Sequence, residues 1–396
     1  MDILKTLLKK ASFEIEPKIP FGTLEIEFLD TLSKNLISNK KARKYPDVIA
    51  FAFWCRKKNL VEIKNNLHNG ELRIGLGSIF HITPSNVPLN FAYSFAFGLL
   101  TGNSNLVKLP STDFKQTLLV CLSIKNLFRE KKFRLLGKEN FFFKYNSDEK
   151  EITKEISLRV DGRIVWGGDK TVNDVKTFLT KPRSKDIFFA DRYSFCLIKS
   201  SEINKCNSNK IKDIANKFYN DTYFMDQNAC SSPRMIIWYG SEKQTKVAKN
   251  KFWPILYEIV KRKYSLEKTN VIQKFTDLCE FAIQNNRNTN FHNYENLVYR
   301  VEILDSNSKL KEFKNKFGYF YEFNFKNLDE IKKMITQKFQ TLAYFGIKKN
   351  KLKNFIIKNK LKGIDRIVPL GCSHNIGFLW DGYNIDKQLT RMIDIQ

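Results

Sequence analysis

The sequence predicts an α/β fold built on parallel sheets. Short apolar runs rich in β-branched and aromatic residues alternate with helical stretches along most of the chain. The 396 residues, 42% of them hydrophobic, suffice for two or three domains with full cores. No uncharged apolar run reaches the ~18 residues of a membrane-spanning helix.

The N-terminus, MDILKTLLKKASFEIEP, mixes charge into an amphipathic pattern and has no small-residue cleavage site, so it does not read as a signal peptide. Residues 1–70 are expected to form an N-terminal helical segment. IGLGSIFHI (74–82) predicts a buried strand, TPSNVP (83–88) a loop, and LNFAYSFAFGLLTG (89–102) an apolar helix ending at a Gly C-cap. NLVKLP (105–110) is the next strand; the helix behind it takes Ser111 or Thr112 as N-cap and a core face through Leu118, Leu119 and Leu122. GRIVWGG (162–168) is a strand closing in a Gly turn, with Asp169 or Thr171 opening a helix. KDIFFA and YSFCLI are short strands. RMIIWYG (234–240) is a strand and EKQTKVAKNKFWPILYEIVKRK a long helix. FGYFYEFNF (317–325) is a strand, NLDEIKKMITQKF (327–339) a helix capped by Asn327, and TLAYFGI a strand. KNKLKNFIIKNK is a helix, and DRIVPLG (365–371) is the last strand. NNRNTNFHN (285–293) reads as a long surface loop. There is no fixed-period repeat and no low-complexity linker.

The formal charge of +27 would assist binding to nucleic acid, an anionic surface or an anionic cofactor. The lysines are spread, however. KARK (41–44), KRK (261–263) and residues 349–362 each read as the solvated face of a helix. No helix-turn-helix, zinc-finger or RNP-like signature accompanies them, so no specific nucleic-acid partner is expected. A non-enzymatic, basic nucleic-acid-binding protein is the alternative of another class. Seven cysteines without a CxxC pair favour reduced thiols in a cytoplasmic protein over a disulfide framework or a structural zinc site. Cys55, Cys121, Cys196 and Cys279 lie in apolar runs and read as core. Cys230 alone sits in a polar, turn-like stretch, DQNACSSPR (226–234), where a thiol is either a space filler or a nucleophile. No spacing groups His81, His292 and His374 as ligands. They read as structural or surface residues, with His374, near the tail, the one candidate proton donor.

The stretch HITPSNVPLNFAYSFAFGLLTGNSNLVKLPS (81–111) combines a strand, an Asn-bearing loop, an apolar helix ending in Gly-Asn, and a strand ending in Lys-Leu-Pro-Ser. It resembles the aldehyde dehydrogenase superfamily. Within that superfamily, NACSSP around Cys230, FADRYSF (189–195) and DRIVPLG…WDGYNIDKQLTR (365–391) resemble the LuxC-type acyl-CoA reductases, the fatty-acid reductases of bacterial luminescence and their non-luminous relatives. The resemblance covers roughly residues 70–391. It implies an aldehyde-dehydrogenase-like fold of two parallel-sheet α/β domains with a cleft between them. The cofactor domain would span 71–203 and the catalytic domain 204–364, with 365–396 returning to the cofactor domain.

The resemblance also implies chemistry. A fatty acyl-CoA thioester is reduced to the aldehyde with NADPH, through an S-acyl intermediate on Cys230. The Asn86 amide and the Cys230 backbone N–H are the expected oxyanion donors. Gly167 and Gly168 are placed at the pyrophosphate or nicotinamide, and Lys108 with Ser111 at the adenosine ribose or its 2′-phosphate. A cation there favours NADPH over NADH. Three departures stand out: Lys108 lies two residues before Pro110 instead of one; FFADRYSF lacks the Glu that activates water in acid-forming dehydrogenases; and Asn315 stands where a Glu usually holds the nicotinamide ribose. The missing Glu favours a reductase, because the acyl-enzyme then outlives hydrolysis. Asp191 and Arg192 serve either an internal ion pair or catalysis, and Trp380 and Asp381 serve packing and capping. Relatives imply a homo-oligomer, an acyl-CoA or acyl-protein donor, and an acyl-protein synthetase partner. An acyl phosphate or carrier-bound acyl group is the alternative donor. No metal is implied.

Overall fold

The predicted parallel sheets form one in each of two units, Met1–Ala190 with Tyr383–Gln396, and Asp191–Gly382. The structure is a computed structural model and describes residues 13, 15–67, 70–284, 289–304 and 315–396.

In the first unit, β1 (Arg73–Gly75) pairs antiparallel with the strand Thr390–Met392. Then β2 (Ser78–Ile82), β3 (Ser104–Lys108), β4 (Asn140–Phe143), β5 (Gly162–Trp166) and β6 (Lys185–Phe189) form a parallel sheet in the order β4-β3-β2-β5-β6. Both β2 and β5 are buried along their whole length, which is why neither alternates in sequence. The chain runs outward from β2 through β3 and β4, then returns to the other side of β2 at β5. The carboxyl ends of β2 and β5 therefore mark the switch point where open α/β sheets place ligands.

The apolar helix Asn90–Leu100 lies close on this sheet, and Gly102 ends its turn in the left-handed region, φ 79°. The approach is so close that a Cβ at Gly98 would stand 1.8 Å from Asn105 Oδ1. Beneath it His81 is fully buried, with Nε2 2.8 Å from Asn105 Oδ1 and Nδ1 2.8 Å from Ser94 Oγ. Asn105 Nδ2 donates to Asn140 Oδ1 (2.7 Å), so the Asn105 oxygen faces His81 and the ring proton sits on Nε2. Ser94 then donates to Nδ1 and accepts from Trp166 Nε1 at 3.0 Å. His81 is a structural histidine, as expected, and burial pushes its pKa down to about 4.

The helix Lys115–Arg129 corrects two expectations. It is preceded by Phe114, not capped by Ser111 or Thr112, because both lie several residues ahead of its first turn. Its core face runs through Thr117, Val120, Ile124 and Leu127, while Leu118 and Leu122 are exposed. The run TLLVCL is apolar on more than one side, so composition alone did not fix the phase.

In the second unit, β7 (Tyr193–Lys199), β8 (Pro233–Tyr239), β9 (Thr289–Tyr294), β10 (Val298–Ile303), β11 (Tyr319–Phe325), β12 (Phe339–Phe345) and β13 (Arg366–Pro369) form one sheet ordered β13-β12-β7-β8-β11-β10-β9. All neighbours pair in parallel except β9, an antiparallel edge. Several expectations shift here. The segment β7, assigned to the cofactor domain over 71–203, is a central strand of this sheet. The return to the first unit begins at Tyr383 instead of 365. The described part of the expected loop 285–293 is strand, paired with β10 through a turn at Glu295. The expected helix 327–339 keeps its Asn327–Glu330 capping box but is helical only over Leu328–Ile331, then tightens into a 3-10 turn. Leu328 and Ile331 bury within the helix, and Met334 and Ile335 beyond it pack against the same core from the tighter turn and the segment leading to β12. Of the cysteines read as core, Cys55 and Cys196 are buried, Cys121 is half-buried, and Cys279 is exposed.

A buried charge ties this unit together. The Glu322 carboxylate accepts from Trp238 Nε1 (2.7 Å), Trp253 Nε1 (3.0 Å), and Arg300 Nε (3.0 Å) and Nη2 (2.8 Å). Both lone-pair sets are thereby used, which is what makes an interior carboxylate tolerable.

Two predictions follow from these interiors. Glu322→Ala strips buried Arg300 of its bidentate partner and should cost about 3–5 kcal/mol in urea unfolding. For His81, the folded pKa lies below the unfolded value, so its contribution is full above about pH 6.5 and is lost as pH falls through about 4. Melting curves from pH 7 to 4 should therefore fall less steeply for His81→Gln than for the unaltered chain.

Candidate active site

The turn carrying Cys230 is built on two left-handed residues. Asp226 (φ 53°) and Gln227 (φ 55°) reverse the chain after the helix Ser208–Thr222 and the 3-10 turn Tyr223–Met225. Non-glycine residues pay for this conformation, so something must hold it. Gln227 is fully buried and uses its whole amide. Oε1 accepts from Gly318 N (2.7 Å) and Tyr319 N (3.1 Å), and Nε2 donates to Pro233 O (3.1 Å) and Tyr319 O (3.2 Å). Asp226 O accepts from Phe317 N at 3.2 Å, and its carboxylate accepts from Tyr264 Oη at 2.5 Å. Gly318 is obligatory opposite the turn: its φ is 80°, and a Cβ would stand 2.4 Å from Leu297 O.

Behind Gln227 the chain makes a tight turn, with Ser232 N donating to Ala229 O at 3.0 Å. Ser194 Oγ donates to Cys230 O at 2.7 Å and accepts from Thr341 N at 3.1 Å. The β7–β8 ladder slips between Ser194 and Phe195, the kind of bulge that re-aims side chains beside a site. Ser231 Oγ lies 3.1 Å from His374 Nδ1, and Ser232 Oγ 3.5 Å from Nε2. Cys230 thus sits at the amino ends of β8, β7, β11 and β12, not at the carboxyl ends.

Cys230 is half-buried. Burial pushes its thiol up; the Arg192 backbone N–H on the sulfur and the Arg234 charge pull it down, and Asp381 and Asp191 oppose them. The Arg192 guanidinium pairs with Asp365, lies 3.8 Å from Asp381, and reaches Phe339 O. Burial lifts the Asp381 carboxyl to about 6, against Arg192 and the Gln340 amide that donates to it. Arg366 lies 4.0 Å over the Trp380 ring. Of the two roles left open for Arg192, the structure shows the ion pair. Asp381 is that pair's second carboxylate, and Trp380 packs under a cation.

The remaining site residues fall at the carboxyl edge of the first sheet. Asn86 is exposed in the loop behind β2, and Thr83 Oγ1 ties that loop to Lys108 O at 2.6 Å. Lys108 ends β3 with Nζ 4.1 Å above the Tyr145 ring; burial lowers its pKa while Glu149 and Asp148 raise it. Ser111 is exposed beyond it. Gly167 and Gly168 follow β5, with Gly168 leading the helix Asp169–Lys176 and a Gly167 Cβ meeting Thr171 at 3.0 Å. The first unit therefore gathers Asn86, Lys108, Ser111, Gly167 and Gly168 at one sheet edge, and Cys230 belongs to the second unit. Asn315 is buried, donating to Arg234 O (2.8 Å) and Tyr319 O (2.6 Å). Gln227 and Ser194 escaped the sequence reading. Gln227 lies inside the quoted loop, but nothing in one sequence separates a buried amide from an exposed one. Among the described residues no three His, Cys, Asp or Glu side chains group as metal ligands, and no helix is long and apolar enough to cross a membrane.

A family model described as acyl-CoA reductase (LuxC) matches residues 52–393. A long-chain acyl-protein thioester reductase of Photorhabdus laumondii is 25% identical over 166 residues, 42% of this chain and 32% of the relative. One of Photorhabdus luminescens is 26% identical over 168 residues, with the same shares. The match thus spans about a third of those relatives' length. Among solved structures, aldehyde dehydrogenase 21 of Physcomitrella patens covers 94% of this chain and 86% of its own at TM-score 0.64 and 13% identity. A salicylaldehyde dehydrogenase of Pseudomonas putida covers 95% and 85% at TM-score 0.65 and 12% identity. An NAD-dependent benzaldehyde dehydrogenase of Corynebacterium glutamicum covers 93% and 82% at TM-score 0.61 and 11% identity. The chain has the aldehyde dehydrogenase fold.

Removing the clamp should free the turn. Gln227→Ala removes four hydrogen bonds to buried peptide groups, at about 3 kcal/mol or more of stability. Alkylation of Cys230 by iodoacetamide, followed by peptide mapping, should become faster in that variant. In the unaltered chain the alkylation rate should still be rising above the ordinary thiol pKa of about 8.5.

Proposed function

The chain belongs to the LuxC family of acyl-CoA reductases, and from that premise we propose that it reduces an acyl thioester to the aldehyde with NADPH, through S-acyl-Cys230. The observation that carries this is the pinned turn: a thiol on a strained loop held by the buried Gln227 amide, beside a segment without a glutamate. Strain of this kind persists where the surroundings over-determine it, as at catalytic loops.

Cys230, its proton released to solvent, attacks the thioester carbonyl carbon as the thiolate. The carbonyl oxygen takes the electron pair, and the donor thiolate leaves as the acyl–sulfur bond to Cys230 is completed. The carbonyl of the 229–230 peptide is used inside the turn. Its N–H, that of Cys230, therefore points out of the turn and can donate to the oxyanion. The Asn86 amide is the proposed second donor. Ser194 holds the Cys230 carbonyl away from that position. No glutamate stands in FFADRYSF to activate water, so the acyl group is kept for reduction.

A nicotinamide, when bound, supplies the hydride that takes the acyl carbon to the aldehyde level. The first unit suits such a group: the switch point, the Gly167–Gly168 backbone leading a helix, and Lys108 all lie at one edge. Lys108 is the proposed contact to a 2′-phosphate, hence NADPH. The chain's part is to hold the acyl group on Cys230 and to expel it as the thiolate re-forms.

The donor is proposed as acyl-CoA or an acyl-protein. The names of the Photorhabdus relatives favour the latter, with an acyl-protein synthetase as its source. A homo-oligomer and a cytoplasmic location complete the proposal.

Intact-mass spectrometry after incubation with a panel of acyl-CoAs, without NADPH, tests the intermediate. An acyl mass should appear on the unaltered chain and not on Cys230→Ala, and NADPH should release it as aldehyde. No adduct from any acyl-CoA, with an adduct from an acyl-protein, would assign the donor to the protein. Asn86→Ala should slow turnover roughly 10²–10³-fold. Lys108→Ala should raise the KM for NADPH more than that for NADH.

A further inference from the structure

We propose that His374 is a positioning residue for Cys230: its ring braces Ser231 and Ser232 and so fixes the turn that presents the thiol and the Cys230 N–H. The proposal rests on the reading of Cys230 as the nucleophile. Nδ1 is 3.1 Å from Ser231 Oγ and Nε2 is 3.5 Å from Ser232 Oγ. Both serines are buried, and they are the two residues directly behind the nucleophile. A neutral imidazole offers one donor and one acceptor, and a hydroxyl can serve as either. The ring can therefore engage both serines at once, which an aliphatic side chain cannot do.

The ring is delivered by a loop anchored on two sides. Asp221, buried at the end of the helix Ser208–Thr222, accepts from Gly371 N (2.7 Å) and Ser373 N (2.9 Å). Arg366 donates to Ser373 O (3.0 Å) and Asn375 O (2.9 Å) and rests on Trp380. His374 is thus fixed by its backbone neighbours before it touches the serines. This is the physical use of two sequence features that otherwise look like packing, the DRIVP strand and the tryptophan of the tail. Burial and the Arg366 charge hold the ring neutral, with a pKa near 4, so proton storage at neutral pH is not its task. The proposal gives His374 a role of orientation beside the proton-donor role considered for it in the sequence.

The full-length chain is compared with His374→Ala, His374→Gln and the Ser231→Ala/Ser232→Ala pair. Two readouts are taken: the pH profile of Cys230 alkylation by iodoacetamide, and the single-turnover rate of acylation by hexadecanoyl-CoA. Alkylation needs no substrate, so it tests the bracing even if no acyl-CoA proves to be a donor. Absence of any acyl adduct on the unaltered chain would count against the function, not against the bracing. The expected result is a displaced alkylation profile and acylation slowed roughly 10–100-fold at saturating donor, with KM little changed. His374→Gln, which keeps a donor and an acceptor, should recover part of the loss, and the serine pair should reproduce it. Alkylation profiles matching the unaltered chain in both His374→Gln and the serine pair would overturn the proposal. These two variants decide the matter should His374→Ala fail to fold.

Discussion

Everything about the thiol site depends on one buried amide. Gln227 is the point where a helix, two left-handed residues, the Cys230 turn and the start of β11 are tied by four hydrogen bonds. Neither Glu nor Leu could substitute: the first lacks the donors, and the second removes all four hydrogen bonds from the interior. With Gln227 in place, Pro233 enters β8 in register, and the Cys230 carbonyl is turned onto Ser194. The site is therefore a property of strand beginnings, set by how loops enter a parallel sheet.

The first unit solves a different problem. Its ligand-type residues are on loops that leave the sheet, and the sheet must hold those loops without spending their side chains. The His81–Asn105–Asn140 and Ser94–Trp166 bonds do this from below, cross-linking four adjacent strands and the apolar helix inside the core. Asn86, Ser111 and the Gly167–Gly168 turn stay at the surface.

Charge follows the same division. Most lysines are solvated and contribute to net charge without shaping a site. Three inner cations, buried Arg300 and half-buried Arg192 and Arg366, each have a fixed partner, a carboxylate or a backbone carbonyl. Two of the three surround the Cys230 turn, where desolvation alone would raise the thiol and oppose attack. The Arg192 N–H on the sulfur and the Arg234 charge offset part of that penalty.

Much was legible in the sequence. The strand–helix alternation gave the class, because local periodicity records which faces are buried. DQNACSSPR singled out Cys230, because a cysteine among turn residues has no core to fill. The resemblance in 81–111 gave the strand–loop–helix–strand of the first sheet, because a parallel strand followed by a loop and an apolar helix has few foldings. What failed was whatever depends on a distant partner. The phase of the helix behind β3 was wrong because an apolar run does not say which side faces the sheet. The strand Thr289–Tyr294 was hidden because polar residues suit an edge exposed on most of its length. The membership of β7 was decided by its neighbours β8 and β12. Above all, Gln227, Ser194, Asp221 and the Arg192 pairs act between residues far apart in sequence. A single chain of letters shows that a polar group is present; only the tertiary structure decides whether water or another part of the chain satisfies it.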